Sequence, residues 1–333
     1  MSIKVVRSGL LTTVQDLGRY GMQKYGVIVG GAMDAFAFRV ANLLVGNEEG
    51  EAVLEITMQG PILQFMEDSL IAICGGDLSP AIDGHAISQW RPIFVKKGSQ
   101  LTFGAVQSGC RSYLAAAGGM KVPKVMNSRS TYLRAGIGGF CGRALKNGDV
   151  LKLKRPSNLA LRRMHWLSEK AGSSSFSISD WSVSKEILPD YFPSSTIRVI
   201  PGGQYDWFTP QTREQFFKEN FFVTPQSDRM GYRLSGPKLQ LTETKELVSE
   251  AVTAGTIQVP SDGNPIVLMA DRQTTGGYPK IAQVATIDLP ILAQMKPGEK
   301  IRFQKIQLEE AQELLRSREK ELRLLKQGLS LKR

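Results

Sequence analysis

Residues 12–34, TTVQDLGRYGMQKYGVIVGGAMD, decide how the rest of the chain is read. The stretch is too polar for a core strand and too rich in glycine for a helix, so it reads as a site-forming loop. Just before and into it, Val5 and Val6 and then residues 10–14 are short apolar or β-branched runs separated by Ser8-Gly9, which predicts two strands joined by a tight turn. Gly18, Gly21, Gly26, Gly30 and Gly31 let the backbone turn where a Cβ would be strained. After Asp34, Phe36, Val40, Leu43 and Leu44 recur at helical spacing, with Asp34 as N-cap and Gly46-Asn47 as stop. Gln15, Asp16, Arg19 and Asp34 thus gather an amide, two carboxylates and a guanidinium. They form either part of a site or a helix cap plus a surface pair between Arg19 and Asp16.

Outward from this loop the chain is strand-rich. Residues 52–57, 62–65, 69–74, 92–95, 101–103, 111–116 and 150–153 are each strand-length apolar runs, most of them bounded by Gly, Pro or Asp. Without long helices alternating between them, they predict a barrel or sandwich with one helix, not a doubly wound sheet. Residues 1–155 are therefore assigned to a first β domain, a barrel or a sandwich. Residues 156–195, basic and then serine-rich, read as a surface linker with Trp181 packing it down. A second barrel spans 196–306, with a helix capped by Thr209 and opened by Pro210, and an amphipathic helix closes the chain at 307–327.

The 333 residues suffice for two domains, and 42% hydrophobic with 22% charged content suits a water-soluble globular chain. No run nears the roughly 18 to 20 apolar residues of a membrane span, and the start lacks a signal peptide's apolar region, so the expectation is a cytoplasmic protein without membrane contact. Cys74, Cys110 and Cys141 are widely spaced in apolar or glycine-rich surroundings and read as reduced packing residues. The charge of +11 is concentrated: residues 143–170 carry eight Lys/Arg against two acids, and 295–333 eleven against six. Neither segment interleaves aromatics as a nucleic-acid platform would, so both read as solvated faces or docking surfaces for acidic proteins, and no nucleic acid is expected.

Chemistry-bearing stretches recur in the second half. SDRMGYRLSG sets Arg229 and Arg233 four apart around Gly231, either to grip a carboxylate or phosphate or to bridge strands. In SEAVTAGTIQVPSDGNPIVLMADRQTTGGYPKIAQVATIDLP, the residues Glu250, Gln258, Asp262, Asp271, Arg272, Gln273, Thr274 and Thr275 punctuate apolar runs, and Tyr278 ends a Gly-Gly-Tyr-Pro turn that echoes QDLGRYG. Asp77, just after an apolar strand, reads as a turn residue or as part of a second loop lining a pocket. No phosphate-binding or dinucleotide fingerprint is present, and His85 and His165 lie outside the polar stretches, which leaves no metal ligand cluster. Met295-Lys296 looks like a biotin-attachment dipeptide, but QMKPGEKIRF reads as a Pro-Gly turn, so no biotin is expected on this chain. Carboxylates, amides and arginines are left to do acid/base work.

On LTTVQDLGRYG, GGAMD, SDRMGYRL and SEAVTAGTIQVPSDGNPIVLMADRQTTGGYPKIA the chain resembles the allophanate hydrolase subunit 2 family, which contains the second half of the biotin-dependent carboxyltransferase domain of urea amidolyase. Within that family it is most similar to 5-oxoprolinase C subunits and to KipA-like antagonists of the inhibitor of a sporulation histidine kinase. The resemblance implies two cyclophilin-like β-barrels and a partner chain, the B subunit or the kinase-inhibitor homologue, with a site between subunits. With an additional A subunit it implies ATP-dependent opening of 5-oxo-L-proline to L-glutamate. The matched motifs make Asp16, Asp34, Glu250 and Asp271 candidate catalytic residues. They make Gln15, Arg19, Arg229, Arg233, Gln258, Gln273, Thr275 and Tyr278 candidate substrate-binding residues. Three functions stay open: a component of that hydrolase, a regulatory protein that sequesters the kinase inhibitor, or part of a carboxyltransferase acting with carboxybiotin on urea or a related amide. The last requires carboxylase and carrier domains that this sequence does not contain.

Overall fold

A computed structural model describes residues 1–191, 196–243, 245 and 247–332. Among them the fold is mainly β, with five α-helices: α1 Ala35–Leu44, α2 Asn158–Ala171, α3 Pro210–Lys218, α4 Leu289–Ala293 and α5 Leu308–Leu331. The chain divides into two compact units. The first comprises Met1–Gly18, Asp34–Tyr191 and Lys320–Arg333, and the second Arg19–Met33 and Phe192–Glu319. Neither unit is one continuous stretch of sequence, in contrast to the 1–155 and 196–306 expected, and the opening loop is shared out between them.

In the first unit the strands form two six-stranded sheets. One runs Val150–Lys152, Ser2–Arg7, Ile62–Phe65, Gln100–Phe103, Pro80–Ile82, His85–Ala86; the other Phe176–Ile178, Ile93–Val95, Ser69–Asp77, Ser108–Ala116, Val53–Thr57, Leu11–Gln15. Ile3, Val14, Leu54, Ile73 and Leu114, fully buried, belong to one continuous core that both sheets supply. The first two strands enter different sheets, so the Ser8-Gly9 turn has to redirect the chain sharply. Gly9 does this at φ +74°, and a Cβ there would lie 2.5 Å from the Gln59 carbonyl oxygen. Gly9→Ala is expected to cost about 2 kcal/mol or more, from strain at positive φ and the backbone clash, read as a lowered urea midpoint at unchanged slope.

Asp34 caps α1 through a 2.9 Å bond from the Ala37 amide. The segment 156–195, expected to be linker, instead builds α2 and the strand Phe176–Ile178, which pairs with Ile93–Val95. Ala160, Met164, Leu167 and Ala171 make a buried stripe at helical spacing, which the dense positive charge of the segment obscures in the sequence. Residues 192–195, the end of that expected linker, lie outside the described residues.

The second unit is built on a closed seven-stranded barrel in the order Thr196–Pro201, Lys280–Val284, Thr256–Gln258, Ile266–Leu268, Gly231–Ser235, Phe221–Val223, Lys300–Lys305. The first and last pair in parallel, which closes the ring. Its core includes a stack of Phe216 on Phe303 at 4.6 Å between ring centroids, with Phe221 tilted against Phe303 at 5.6 Å. Thr209 caps α3 and Pro210 opens it.

Candidate functional site

In the first unit Asp16 directly follows the strand Leu11–Gln15 and is 6% exposed. One carboxylate oxygen accepts from Ser128 Oγ at 2.7 Å, Ser130 Oγ at 2.6 Å and the Gly18 amide at 2.8 Å, and the other accepts from the Arg129 amide. The Asp16 amide in turn donates to Ser130 Oγ at 2.9 Å. A carboxylate so fully occupied clamps the loop 128–130 to the strand end. Gln15, fully buried beside it, donates to Thr13 Oγ1 at 3.0 Å. Ser128 and Ser130 do not stand out in the sequence; their one signal is the Ser-Arg-Ser triplet that follows Asn127, itself at φ +63°.

Asp34 is completely buried in the same unit. Beyond capping α1 it accepts from the Tyr191 hydroxyl at 2.8 Å, while its amide donates to the Tyr113 hydroxyl at 2.8 Å. Tyr113 then donates to Glu55 Oε2 at 2.9 Å. Burial and the charges of Glu55 and Asp34 push the Tyr113 phenol upward, and burial and Asp34 do the same to Tyr191. Both phenols therefore stay protonated near neutrality and serve as donors to carboxylates. The Cys74 thiol is raised for the same reasons, burial first and then Asp34, which makes it an inert packing group. Trp90 stacks on Tyr191 with ring centroids 6.2 Å apart.

In the second unit Arg229 and Asp271 form a two-pronged buried pair. Arg229 Nε and Nη2 donate to the two Asp271 oxygens at 2.9 and 3.0 Å, and Nη2 also donates to the Gly31 carbonyl at 2.6 Å. The Gly30 amide donates to the Ala270 carbonyl at 3.2 Å and the Arg19 amide to the Val29 carbonyl at 2.7 Å. A Cβ on Gly30 would sit 3.5 Å from Asp271 Oδ1 and 3.7 Å from Arg19 Nη1, so the fully buried Arg19 joins this group. The structure thus brings Arg19, Arg229 and Asp271 together around the segment 19–33.

A further polar group surrounds the ribbon in which Glu250–Ala251 pairs with Thr275–Gly276. Glu250 Oε1 accepts from Lys280 Nζ at 2.7 Å and Gln204 Nε2 at 3.0 Å, and Lys280 holds the Glu250 carboxyl below its ordinary range. Glu250 is thereby kept ionised, as an acceptor or base and not as a proton donor. Gln258, 5% exposed, donates to the Tyr278 carbonyl at 3.4 Å. Any side chain on Gly276 would collide with its amide, at 2.4 Å from Nε2. Tyr278 lines a groove of about 740 Å³ together with Leu239, Lys245, Val259 and Pro279. Gln273 and Thr275 are exposed. Arg233 is not brought to Arg229: it lies in the strand Gly231–Ser235 at an exposed position, while Arg229 precedes the strand and is buried. Gln204 and Lys280 complete this group without standing out in the sequence.

Among the described residues no group of three or more His, Cys, Asp or Glu side chains is placed to hold a metal ion, and no helix is long and apolar enough to cross a membrane. Lys296 follows α4, its amide donating to Glu299 Oε2 at 3.0 Å within a tight turn.

Residues 25–305 match the family described as carboxyltransferase domain, subdomain A and B. The chain belongs to this carboxyltransferase-domain family. One relative is the C subunit of 5-oxoprolinase from Escherichia coli, 40% identical over an alignment of 331 positions that covers 98% of this chain and 97% of that protein. Another is urea amidolyase of Saccharomyces cerevisiae, 33% identical over an alignment of 349 positions that covers 100% of this chain but 18% of the larger protein. Among solved family structures, urea carboxylase of Kluyveromyces lactis superposes with a TM-score of 0.87 at 33% identity; the match covers 98% of this chain and 29% of that one.

Proposed function

We propose that this chain is the C subunit of an ATP-dependent 5-oxoprolinase complex, acting with the A and B subunits to open 5-oxo-L-proline to L-glutamate. What carries the reading is the end-to-end likeness to the E. coli C subunit, 98% of one chain against 97% of the other. A lactam carbonyl is resonance-stabilised and a poor electrophile. Transfer of the ATP γ-phosphoryl group to the lactam oxygen releases ADP and makes the ring carbon open to water. Ring opening breaks the C–N bond, the nitrogen takes up protons, and a second water releases phosphate from the resulting acyl phosphate to leave glutamate. This chain's contribution is an ionised carboxylate at Glu250, oriented by Lys280 and Gln204, beside the Gln258 amide and Tyr278. The partners are the A and B subunits, the latter the kinase-inhibitor homologue, and the compartment is the cytoplasm, in keeping with the free thiols of Cys74, Cys110 and Cys141.

The superposition on urea carboxylase, at a TM-score of 0.87, favours a second reading as part of a biotin-dependent carboxyltransferase. The deciding experiment follows glutamate release from 5-oxoproline with ATP, supplying this protein alone, with its B partner, and with the A and B partners together. Activity confined to the full mixture is the expected result. A stable complex with the B partner that is inactive in every mixture would replace the enzyme by a regulatory binding protein. Biotin-dependent carboxylation of urea when carboxylase and carrier proteins are added would establish the second reading.

A further inference from the structure

The turn after the strand Ile266–Leu268 carries two neighbouring charges in opposite circumstances. Asp271 has both oxygens taken by Arg229. Arg272, next to it, is half-buried and forms no ion pair among the described residues. Its Nη1 reaches only the Met269 carbonyl of the same turn, at 3.3 Å, and its Nε is buried without a hydrogen-bond partner among the described residues. Burial pushes its pKa down, and the neighbour that acts on it electrostatically is the phenol of Tyr20, itself 67% exposed. Buried donors of a charged group are almost always satisfied, because leaving one unmade forfeits its hydration. A guanidinium presents Nε and one Nη as a flat edge that takes a carboxylate in two parallel bonds. Arg229 already uses such an edge on Asp271, and Arg233 stands in solvent. Arg272 thus keeps a desolvated Nε that has no hydrogen-bond partner among the described residues.

We propose that Arg272 binds the carboxylate of the small-molecule substrate and so selects a carboxylate-bearing lactam over an uncharged amide. The assignment rests on the 5-oxoprolinase reading, since urea offers no group for this cation. The test uses the assembled complex with Arg272→Met and Arg272→Lys. Arg272→Met is expected to raise KM for 5-oxoproline about 10- to 100-fold, the size of a lost charge-assisted contact. The values of kcat and of KM for ATP stay as in the wild type, the mark of lost ground-state binding. Arg272→Lys recovers part of the loss. Independently of turnover, 5-oxoproline raises the melting midpoint of the wild-type complex and 2-pyrrolidinone, the same ring without the carboxylate, does not; in Arg272→Met neither ligand does. An unchanged KM, a fall in kcat alone or a rise in KM for ATP overturns the assignment, the last by giving Arg272 to a phosphoryl group. So does a wild-type complex that 5-oxoproline does not stabilise. A wild-type mixture that is stabilised by 5-oxoproline yet releases no glutamate counts against the hydrolase reading and not against the contact.

Discussion

Asp271→Asn is expected to lower the stability of the protein by about 3–5 kcal/mol, the cost of leaving a buried charge without its partner. Arg229 and Asp271 are each 6% exposed, so the guanidinium has no water to fall back on when the opposing carboxylate becomes an amide. The loss extends past the pair, because the same guanidinium holds the Gly31 carbonyl at 2.6 Å. Amides in the segment 19–31 should then exchange hydrogen faster by a larger factor than those of the barrel strands. Replacing both partners by apolar residues, Arg229→Met with Asp271→Leu, is expected to cost less than Asp271→Asn alone, since no charge is stranded. Urea unfolding of the wild type and both variants checks the order. An Asp271→Asn protein within about 1 kcal/mol of the wild type would mean that the pair does not carry the loop, set against the typical cost of breaking buried pairs. This also bears on activity assays: loss of turnover in Asp271→Asn mixes chemistry with loop collapse, which is why Arg272 is the cleaner probe.

The second large effect is expected at Arg163. Its Nη1 donates to the carbonyls of Leu43 and Leu44 at 3.3 and 2.9 Å, at the last turn of α1, and its Nη2 donates to the carbonyl of Leu329 in α5. The guanidinium lies 5.7 Å from the Trp181 ring centroid. Arg163→Met keeps much of the volume but leaves three carbonyls without this donor, and a loss of about 3 kcal/mol is expected from unmade buried hydrogen bonds. Arg163→Lys should fall between, since one ammonium cannot reproduce the fork. Thermal unfolding measures both. Burial pushes the Arg163 pKa down to about 10. The folded state therefore loses this proton at lower pH than the unfolded state does. At neutral pH both states are charged and no pH dependence arises from this group; above pH 10 the unfolded state binds more protons and the group's contribution to stability rises with pH.

Much of the scaffold was legible in the sequence because its signals are local. The Asp34 cap, the Thr209-Pro210 helix start and the short apolar strands each depend on residues a few positions apart. For the candidate site residues, the groupings in which the structure holds them were not legible. Asp16 invited pairing with Arg19, three positions on, yet its carboxylate is occupied by serines 112 and 114 residues away. Arg229 and Arg233 suggested one gripping pair, but Arg233 belongs to a strand whose alternation turns it outward, and the partner of Arg229 lies 42 residues on. α2 was hidden because its charge drew attention from its buried stripe. Contacts of this range leave no periodicity for a sequence reading to find.

The exchange of the segment 19–33 into the second unit has a bearing on synthesis. As the chain leaves the ribosome from its N-terminus, Gly31 is made early, and the arginine that fixes it comes 198 residues later. Asp271 and Ala270 come later still. Until then a glycine-rich stretch bearing Arg19 lacks these later anchors, and the loop that closes it is long and entropically costly. The opening loop is therefore expected to be the last part of the N-terminal sequence to settle, and the part most open to nascent-chain binding factors.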